Sequence, residues 1–428
     1  MQLIKYPGQE DWKALLDRPY IDNRAVLDSV QMILNAVRLH GDEAIKSLTK
    51  KFDGLELDTF IVTKNEIEES KNLVPQQLKQ AIAQAKKNIE TFHRKQLTIT
   101  EEIETMPGVK CWRKQVAIES VGLYIPGGTA PLFSTVLMLG IPSMIAGCIE
   151  TSLFTPPSKE GKIHPAILYC ADLVGISRIY KIGGAQAIAA MAFGTGSSSP
   201  VDKIFGPGNQ YVTAAKQLVQ MQGVAIDMPA GPSEVCILAD ETANPAFLAA
   251  DLLSQAEHGP DSQVILITTS EQLANEVQQE IENQLPYLPR WETALKALGN
   301  SKTILLNNLE EAIVFVNSYA SEHLIISCAE ARMVAEKIRN AGSVFIGNYS
   351  PESVGDYASG TNHTLPTNGF ARAYSGVSVD SFVKNITYQE LSEDGLKNIA
   401  ETVICLAEEE GLQAHANAVK LRLYNKQD

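Results

Sequence analysis

Residues 178–209, RIYKIGGAQAIAAMAFGTGSSSPVDKIFGPGN, contain the pattern that decides the fold. An apolar run at 178–182 is followed by two glycines, an apolar helical segment at 185–193 and a second short run at 203–205. Short strands that alternate with helices of about 10–15 residues are typical of βαβ units, in which the strands lie parallel. This stretch therefore predicts part of a parallel sheet covered by helices.

The same alternation extends in both directions and restarts once. In the first unit, the predicted strands are 121–125, 151–155, 178–182, 203–205 and 224–227, and the predicted helices are 133–148, 165–174, 185–193 and 209–221. In the second unit, the predicted strands are 234–239, 263–268, 303–306, 323–327 and 343–346, and the predicted helices are 245–257, 271–283, 309–320 and 329–340. We predict an α/β fold with two doubly wound, Rossmann-like parallel-sheet domains.

The predicted joint between the two units is the AGPS sequence at 230–233, because Gly-Pro interrupts both helices and strands. The second domain covers residues 120–233, and the larger domain combines residues 234–378 with a helical N-terminal region, residues 1–119. From about Val379 the chain is polar and helical with no clear strand. Residues 379–428 are therefore predicted to form a helical arm that packs on the body or reaches a neighbouring subunit.

The composition predicts a packed cytoplasmic protein. The chain has 428 residues, of which 45% are hydrophobic and 20% charged, as in ordinary globular proteins. Its net charge of −14 repels phosphate backbones and acidic membrane surfaces, which argues against nucleic-acid and membrane partners. The six cysteines form no C-x-x-C pair, residues 1–11 lack an apolar leader, and the apolar stretch 136–149 is too short to span a bilayer.

Three glycine-rich joins follow predicted strands of the first unit, at 126–128, 183–184 and 206–209. In an open parallel sheet these joins lie beyond the carboxyl ends of the strands, where ligands bind, and each leads to a helix N-terminus that attracts phosphate. Glycine also serves simply to make tight turns, and this is the more common reason for any one of these loops. The G-x-G-x-x-G fingerprint is absent, so the loops predict a ligand site without identifying a dinucleotide.

Gln255 and His258 stand three residues apart at the end of a predicted helix and so share one face. A metal could bind this pair, although glutamine is an uncommon ligand and the spacing is a weak signal. Taken alone, His258 is more simply a C-terminal helix histidine stabilised by the helix dipole. His40, His93 and His164 lie in charged or loop surroundings and are expected at the surface.

Glu322 and His323 open an apolar predicted strand. Imidazole is the natural proton acceptor near neutral pH, and an adjacent carboxylate can activate water, but the two residues could equally be a polar start to the strand. Asp356 lies in a Gly- and Ser-containing segment expected to be a loop, where an aspartate more often only caps a turn. His415 lies in the polar tail beside three glutamates, which alone indicates a solvated face.

Taken together, these segments resemble the histidinol dehydrogenase family over about residues 116–415. The resemblance rests on long strings, which are VGLYIPGGTAPLFSTVLMLGIP (121–142), GGAQAIAAMAFGT (183–195), KIFGPGNQYVTAAK (203–216), DMPAGPSEV (227–235), DLLSQAEHGPDSQ (251–263), SEHLII (321–326) and GSVFIGNYSPESVGDYASGTNHTLPT (342–367). It implies oxidation of L-histidinol to L-histidine through L-histidinaldehyde, with two NAD, in histidine biosynthesis. It also implies a homodimer with shared active sites, in which the C-terminal arm reaches the partner subunit.

The resemblance also implies the roles of individual residues. Glu322 and His323 are the implied catalytic residues: His323 accepts protons, and Glu322 activates water. One zinc ion per subunit, which positions the substrate, is implied to be held by Gln255, His258, Asp356 and His415, the last from the partner subunit. The implied substrate contacts are Ser233, Gln255, His258, His323, Asp356, Glu410 and His415, with His363 as a further candidate. The implied NAD contacts are Tyr124, Gln186 and Asn209, which lie at or beside the glycine-rich joins.

Two other classes of function are compatible with parts of the sequence. A zinc hydrolase would use Glu322 to activate metal-bound water and would turn over without any change in nicotinamide absorbance. A two-lobed α/β solute-binding protein would hold a ligand between its lobes without chemistry. The absence of an apolar leader argues against an exported form of the second class.

Overall fold

The computed structural model of the chain describes residues 1–18, 24–127, 131–229 and 231–424. Gly128 of the first glycine-rich join and Ala230 of the predicted joint lie outside the described residues. Within the described part, the strands are β1 Gln2–Lys5, β2 Glu102–Met106, β3 Val109–Ala117, β4 Ser120–Tyr124, β5 Glu150–Phe154, β6 Arg178–Tyr180, β7 Lys203–Phe205, β8 Ala225–Ile226, β9 Glu234–Ala239, β10 Gln263–Thr268, β11 Lys302–Leu305, β12 His323–Ser327, β13 Ser343–Ile346 and β14 Val383–Leu391.

The α-helices of the described residues are α1 Trp12–Leu16, α2 Arg24–Asp53, α3 Lys64–Leu73, α4 Gln76–Arg94, α5 Phe133–Ala146, α6 Pro165–Leu173, α7 Gly184–Phe193, α8 Gln210–Gln220, α9 Pro245–Ala256, α10 Glu271–Gln284, α11 Trp291–Gly299, α12 Leu309–Tyr319, α13 Ala331–Ala335, α14 Glu352–Tyr357, α15 Glu393–Glu409 and α16 Gln413–Tyr424. The long helix α2 is kinked at Gly41, whose backbone is not helical. None of the helices in the described ranges combines the length and the apolar character needed to cross a membrane.

Two sheets of the described chain are wholly parallel. Their strand orders are β6-β5-β4-β7-β8 and β1-β11-β10-β9-β12-β13. Apart from β1, which adds to the edge of the second sheet, the chain in each sheet starts near the middle, builds out to one side and then returns to build towards the other, which is the doubly wound order. Strands β9, β10 and β12 are buried at every residue, as expected for strands covered by helices on both faces. The predicted α/β fold with parallel sheets is confirmed.

A third sheet corrects the expectation of helix alone at both ends of the chain. β14 pairs antiparallel with β3 over residues 383–391, and β3 pairs antiparallel with β2. The expectation that the region after Val379 contains no strand is therefore wrong, and the region before residue 120 contains strands as well as helices. These strands are mostly half-buried or exposed, so they lack the apolar runs that marked the parallel sheets.

The N-terminal helices pack against the first parallel sheet. α2 contacts α7 and α8, α3 contacts α6, and α4 contacts α5, and their apolar stripes enter the same two cores as the strands of that sheet. Among the described N-terminal residues, β1 and α1 instead join the second sheet, where β1 pairs with β11 and Trp12 enters the core. The grouping of residues 1–119 with residues 234–378 stays a prediction, because an apolar helical stripe in the sequence does not reveal which sheet it covers.

Two smaller expectations are wrong. The helix predicted at 329–340 spans only Ala331–Ala335, because the side-chain oxygen of Asn317 accepts the N–H groups of Arg339 and Asn340, which turns the chain away from a helical path. His93, expected at the surface, is fully buried, and its Nδ1 contacts the carbonyl oxygen of Ile89 at 2.9 Å. It lies on the face of α4 that packs against α5.

Candidate functional site

Glu322 and His323 lie at the amino end of β12, which lies between β9 and β13. Their side chains are 9% and 4% exposed, so the pair is almost enclosed. His323 is in register with Val235 of β9 and Ser343 of β13, so the strand is held on both sides. A Cβ atom at Gly342 would lie 2.6 Å from the carbonyl oxygen of Glu322, so only glycine permits this close approach. The sheet therefore fixes the backbone of the pair.

The contacts of His323 define its preferred tautomer. Its Nδ1 lies 3.1 Å from the carbonyl oxygen of Glu234, and because a carbonyl only accepts, Nδ1 carries the proton in the neutral ring. Its Nε2 is buried and lies 3.4 Å from Oδ1 of Asp356, which is longer than a well-formed hydrogen bond. In the neutral ring, the Nε2 atom is thus the free acceptor.

Burial and mutual charge shift the proton affinities of the pair. Burial raises the pKa of Glu322 to about 7, although the charge of His323 and a hydrogen bond from the N–H of Glu234 oppose this. Burial disfavours the charged form of His323, but Glu322, Asp356 and Glu352 outweigh it and raise the pKa of the imidazole to about 10. The imidazole of His323 is therefore protonated near neutral pH unless a nearby positive charge offsets these carboxylates, whereas the carboxyl group of Glu322 is close to half-ionised.

Gln255, His258 and Asp356 supply donors suited to a metal ion. Gln255 is fully buried, yet neither its side-chain oxygen nor its nitrogen has a hydrogen-bond partner. A buried amide without a partner is costly unless something binds it. Burial lowers the pKa of the His258 imidazole. The charge of Asp356 is the largest influence that opposes this shift, so these two residues lie near each other. A carboxamide, an imidazole and a carboxylate form a donor set that fits zinc.

Two details differ from the sequence interpretation of these ligands. α9 ends at Ala256, so His258 follows the helix instead of sharing a helical face with Gln255. Asp356 lies in the short helix α14 and not in a loop. The pKa of Asp356 is lowered despite burial, because His323, His363 and His258 stabilise its charge.

Glu410 and His415 lie apart from these ligands within one subunit. Glu410 ends α15 and His415 lies in α16, where both residues are exposed. α16 packs on α15, and α15 packs on β14 and β2. Among the described residues of the single chain, no three His, Cys, Asp or Glu side chains are arranged to hold a metal, so His415 does not complete the site within its own subunit.

His363 and Ser233 lie beside the same region. Nδ1 of His363 contacts the carbonyl oxygen of Asp356 at 2.8 Å, and its Nε2 contacts the hydroxyl of Thr135 in α5 at 3.1 Å. His363 therefore connects the second parallel sheet's site to the helix that follows β4 of the first sheet. Ser233 immediately precedes β9 and is half-buried.

Glu352 is a buried acid that the sequence interpretation missed. It is 1% exposed; one carboxylate oxygen accepts the Ser254 hydroxyl at 2.7 Å, and the other has no hydrogen-bond partner. Burial raises the pKa of Glu352 to about 8 and the pKa of nearby Asp251 to about 7. Glu352 precedes Asp356 by four residues in α14, and this helical spacing would have identified it had α14 been recognised as a helix.

A separate cavity of about 1460 Å³ opens at the carboxyl edge of the first parallel sheet. Its lining includes Tyr124, Gln186 and Asn209. The Tyr124 hydroxyl accepts the N–H of Gly184 at 3.0 Å, and burial raises the pKa of this phenol to about 12. The volume exceeds the roughly 300–1,000 Å³ of ordinary small-molecule pockets, and a cavity of this size, beside the N-termini of α7 and α8, fits a dinucleotide.

A buried ion pair holds the third glycine-rich loop. Lys216 and Asp227, whose side chains are 5% and 1% exposed, form the pair. Lys216 donates to the carbonyl oxygen of Gly206 at 2.9 Å, and the N–H of Gly206 donates to Asp227 at 2.8 Å. Gly206 has a φ of +121°, and a Cβ there would lie 2.1 Å from the carbonyl oxygen of Tyr124. The ion pair therefore fixes the loop that leads to Asn209, another feature that the sequence interpretation missed.

Comparison with known proteins identifies close relatives over nearly the whole chain. The profile of the family described as histidinol dehydrogenase matches residues 16–423. A histidinol dehydrogenase of Bacteroides thetaiotaomicron is 58% identical over 423 residues, which is 99% of each chain. A chloroplastic histidinol dehydrogenase of Arabidopsis thaliana is 53% identical and covers 96% of this chain and 88% of its own. The crystal structure of histidinol dehydrogenase from Elizabethkingia anophelis matches with a TM-score of 0.98 and 53% identity, covering 100% of this chain and 99% of its own.

Proposed function

The chain belongs to the histidinol dehydrogenase family of NAD-linked oxidoreductases of histidine biosynthesis, and we propose that Glu322 and His323 perform its proton transfers. The observation that supports this most is the geometry of His323. Its Nδ1 proton is engaged by the carbonyl oxygen of Glu234, and its Nε2 is a buried acceptor with no hydrogen-bond partner. A base must be within reach of the proton it takes and must be held in the correct tautomer.

The proposed reaction has two oxidations, and His323 is the proton acceptor in both. Nε2 of His323 takes the hydroxyl proton of L-histidinol as the carbinol hydride leaves, which gives L-histidinaldehyde. Glu322 then takes a proton from water as the water oxygen adds to the aldehyde, and the protonated Nε2 of His323 returns its proton to the aldehyde oxygen, which gives the gem-diol. His323 takes a proton again as the second hydride leaves, which gives L-histidine. NAD, when bound, accepts one hydride in each oxidation.

The pKa of Glu322 suits the role of a general base. A carboxylate with a pKa of about 7 is largely ionised just above neutral pH and still basic enough to take a proton from attacking water. Because the pair is nearly enclosed, bulk water is kept from the aldehyde except where Glu322 directs it. The enclosure thus favours completion of both oxidations before release.

The proposed zinc ligands are Gln255, His258, Asp356 and His415 of the partner subunit, with one ion per subunit. The unpartnered amide of Gln255 and the mutual influence of His258 and Asp356 support the first three. Zinc, when bound, would hold the substrate's amine and imidazole and offset the Asp356 charge that favours protonation of His323. Ser233, Gln255, His258, His323, Asp356, Glu410 and His415 are the proposed substrate contacts, with His363 beside them.

We propose that the subunits form a homodimer with shared sites. Glu410 and His415 are exposed on the α15–α16 hairpin, and within the described part of one subunit no group of three His, Cys, Asp or Glu side chains could hold a metal. A partner hairpin would supply both residues to each site, as a two-fold axis requires. The proposed arm keeps the predicted bounds, residues 379–428, and the proposed cores are built on the two parallel sheets. A cytoplasmic location remains a prediction from the sequence.

Tyr124, Gln186 and Asn209 are the proposed NAD contacts, because all three line the large cavity at the carboxyl edge of the first sheet. The decisive experiment supplies L-histidinol, NAD and zinc to the purified protein and follows NADH absorbance. We expect two NADH for each histidinol consumed and loss of activity on chelation that zinc restores. One NADH with accumulation of aldehyde would contradict the proposed second oxidation, and turnover without NADH would indicate a hydrolase.

A further inference from the structure

Several carboxylates line the cavity proposed for NAD, and their hydrogen-bond states differ. Glu66 is bound to Lys181 at 2.5 Å and accepts the backbone N–H of Thr63 at 2.8 Å. Glu160 accepts the hydroxyl of Ser158 at 2.7 Å. Asp53, the last residue of α2, differs: its Oδ2 is buried and has no hydrogen-bond partner in the described part of the chain.

Asp53 belongs to the same wall as a proposed NAD contact. Its charge is one of the influences that raise the pKa of Tyr124, so the two side chains are near each other. Burial raises the pKa of Asp53 itself, as expected for a carboxylate that lacks donors. A buried acceptor without a partner lowers the stability of the protein, and a ligand that brings hydroxyl donors would remove this cost.

The cavity's position limits which part of a dinucleotide meets Asp53. The end of the cavity lined by Pro131 is four residues along the chain from Thr135, whose hydroxyl contacts His363 beside the catalytic pair. A nicotinamide that receives hydride must approach that end. The wall formed by α2, which includes Asp53 and Ile33, is then left for the adenosine half.

We propose that Asp53 accepts hydrogen bonds from the adenosine ribose hydroxyls of NAD and so selects NAD over NADP. An acidic side chain that binds the ribose 2′-hydroxyl is a general solution in dinucleotide sites, whereas a 2′-phosphate is usually met by arginine. No arginine is among the described residues that line the cavity, whose basic side chains are Lys51, Lys159 and Lys162. A 2′-phosphate at this place would meet the carboxylate of Asp53 and would have no hydroxyl hydrogen to donate to it. This inference rests on the NAD site proposed above.

The test measures binding of NADH and NADPH by fluorescence titration, without turnover. The parent protein should bind NADH at least about tenfold more tightly than NADPH, and Asp53→Ser should weaken NADH by about tenfold while changing NADPH little. Glu69→Ser is the matched control, because Glu69 lines the same cavity but is exposed. Glu69→Ser should leave the ratio of NADH affinity to NADPH affinity unchanged. Asp53→Asn, which keeps one acceptor oxygen, should restore part of the NADH affinity.

Two outcomes would overturn the proposal. The first is an equal loss of NADH and NADPH affinity in Asp53→Ser, which would show a structural role only. The second is a result in which Asp53→Ser leaves the ratio of NADH affinity to NADPH affinity unchanged while Glu69→Ser changes it. Gln186→Ala separates these failures from a failure of the site itself. If Gln186→Ala weakens NADH binding and Asp53→Ser does not, only the role of Asp53 is wrong; if neither does, the cavity is not the NAD site.

Discussion

The carbonyl oxygen of Glu234 lies 3.1 Å from Nδ1 of His323 and thereby orients the ring so that Nε2 points its lone pair away from the sheet backbone. Glu234 also donates its N–H to Glu322 at 2.8 Å. One backbone unit of β9 therefore contacts both catalytic side chains. Since Glu234 is itself held by Arg18 at 2.9 Å, the orientation of the pair does not depend on bound substrate.

Glu322→Gln should separate the two oxidations. Glutamine cannot accept a proton from water, so acid formation should fall by about 10²-fold or more, while aldehyde formation falls less than about tenfold. His323→Ala should reduce both oxidations by about 10²–10⁴-fold. Single-turnover NADH formation from L-histidinol and from L-histidinaldehyde measures each step. Equal loss of both steps in Glu322→Gln would contradict the assigned roles.

Gln255→Ala should weaken zinc binding and Gln186→Ala should weaken NADH binding, although both glutamines are buried. Gln255→Ala removes a proposed zinc ligand and should lower zinc affinity by at least about tenfold, because even indirect partners of a metal change affinity that much. Gln186→Ala should weaken NADH binding by about two- to tenfold and leave zinc in place. Metal content after dialysis and NADH fluorescence distinguish them. Zinc loss in both variants would indicate unfolding instead of ligand loss.

Mixing two inactive variants should restore activity if sites are shared. In a dimer of one His258→Ala subunit and one His415→Ala subunit, one site lacks both ligands and the other keeps both. Random mixing makes half of the dimers mixed, so activity should recover to about a quarter of the parent value. Each variant alone serves as the control. Mixed dimers isolated with two different tags and still inactive would rule out the shared site.

Lys216→Met should destabilise the protein and weaken NAD binding together. Removing one partner of a buried ion pair leaves the charge of Asp227 uncompensated, which costs about 3–5 kcal/mol. Lys46→Met, which breaks an exposed pair with Glu43, should cost no more than about 1 kcal/mol. Urea unfolding and NADH titration at folded conditions measure both effects. Unchanged NADH affinity in folded Lys216→Met would show that the pair does not position the loop.

Glu352→Gln should stabilise the zinc-free protein at alkaline pH. The pKa of Glu352 is raised by burial to about 8, above its usual value of about 4.3, so the folded state retains a proton that the unfolded chain releases. The contribution of this group to stability is complete below about pH 4 and is lost as pH rises through about 8. Glutamine avoids the loss, so the variant should gain about 1–3 kcal/mol at pH 8.5.

The matching measurement at pH 5 should show little difference between Glu352→Gln and the parent. Both proteins are compared by urea unfolding with a chelator present and at one protein concentration, because dimer stability depends on concentration. A variant that is less stable than the parent at pH 8.5 would show that the Ser254–Glu352 hydrogen bond outweighs the cost of ionisation.

The parallel sheets could be predicted because their strands are buried on both faces and appear as short apolar runs separated by helices. The third sheet could not, since β14 is mostly exposed and the residues of β3 with which it pairs are 266 to 282 positions away in the chain, from the Val383–Ala117 pair to the Leu391–Val109 pair. Helix α14 was read as a loop because glycine and serine are frequent in loops. Its Glu352 was missed for the same reason.

The candidate residues themselves were found by resemblance to a known family. The structure adds the contacts between them, which the sequence does not show. The sequence does not show that the side-chain oxygen and nitrogen of Gln255 are buried without hydrogen-bond partners. It also does not show that Lys216 and Asp227 hydrogen-bond to the carbonyl oxygen and the N–H of Gly206. Nor does it show which sheet α2 covers, and therefore that Asp53 reaches the cavity. These facts arise from contacts between segments that are far apart in the chain.

The nine-residue pairing of β14 with β3 constrains insertions and deletions in the tail. Ser392 donates its N–H to the carbonyl oxygen of Gly108, and Gly395 packs so closely on Gly108 that no Cβ fits between them. A slip of one residue would move the hairpin by about 3.4 Å and turn each strand side chain to the opposite face. Metal coordination tolerates only about 0.2 Å. Lineages that alter loop lengths elsewhere should therefore keep the spacing from 391 to 415 unchanged.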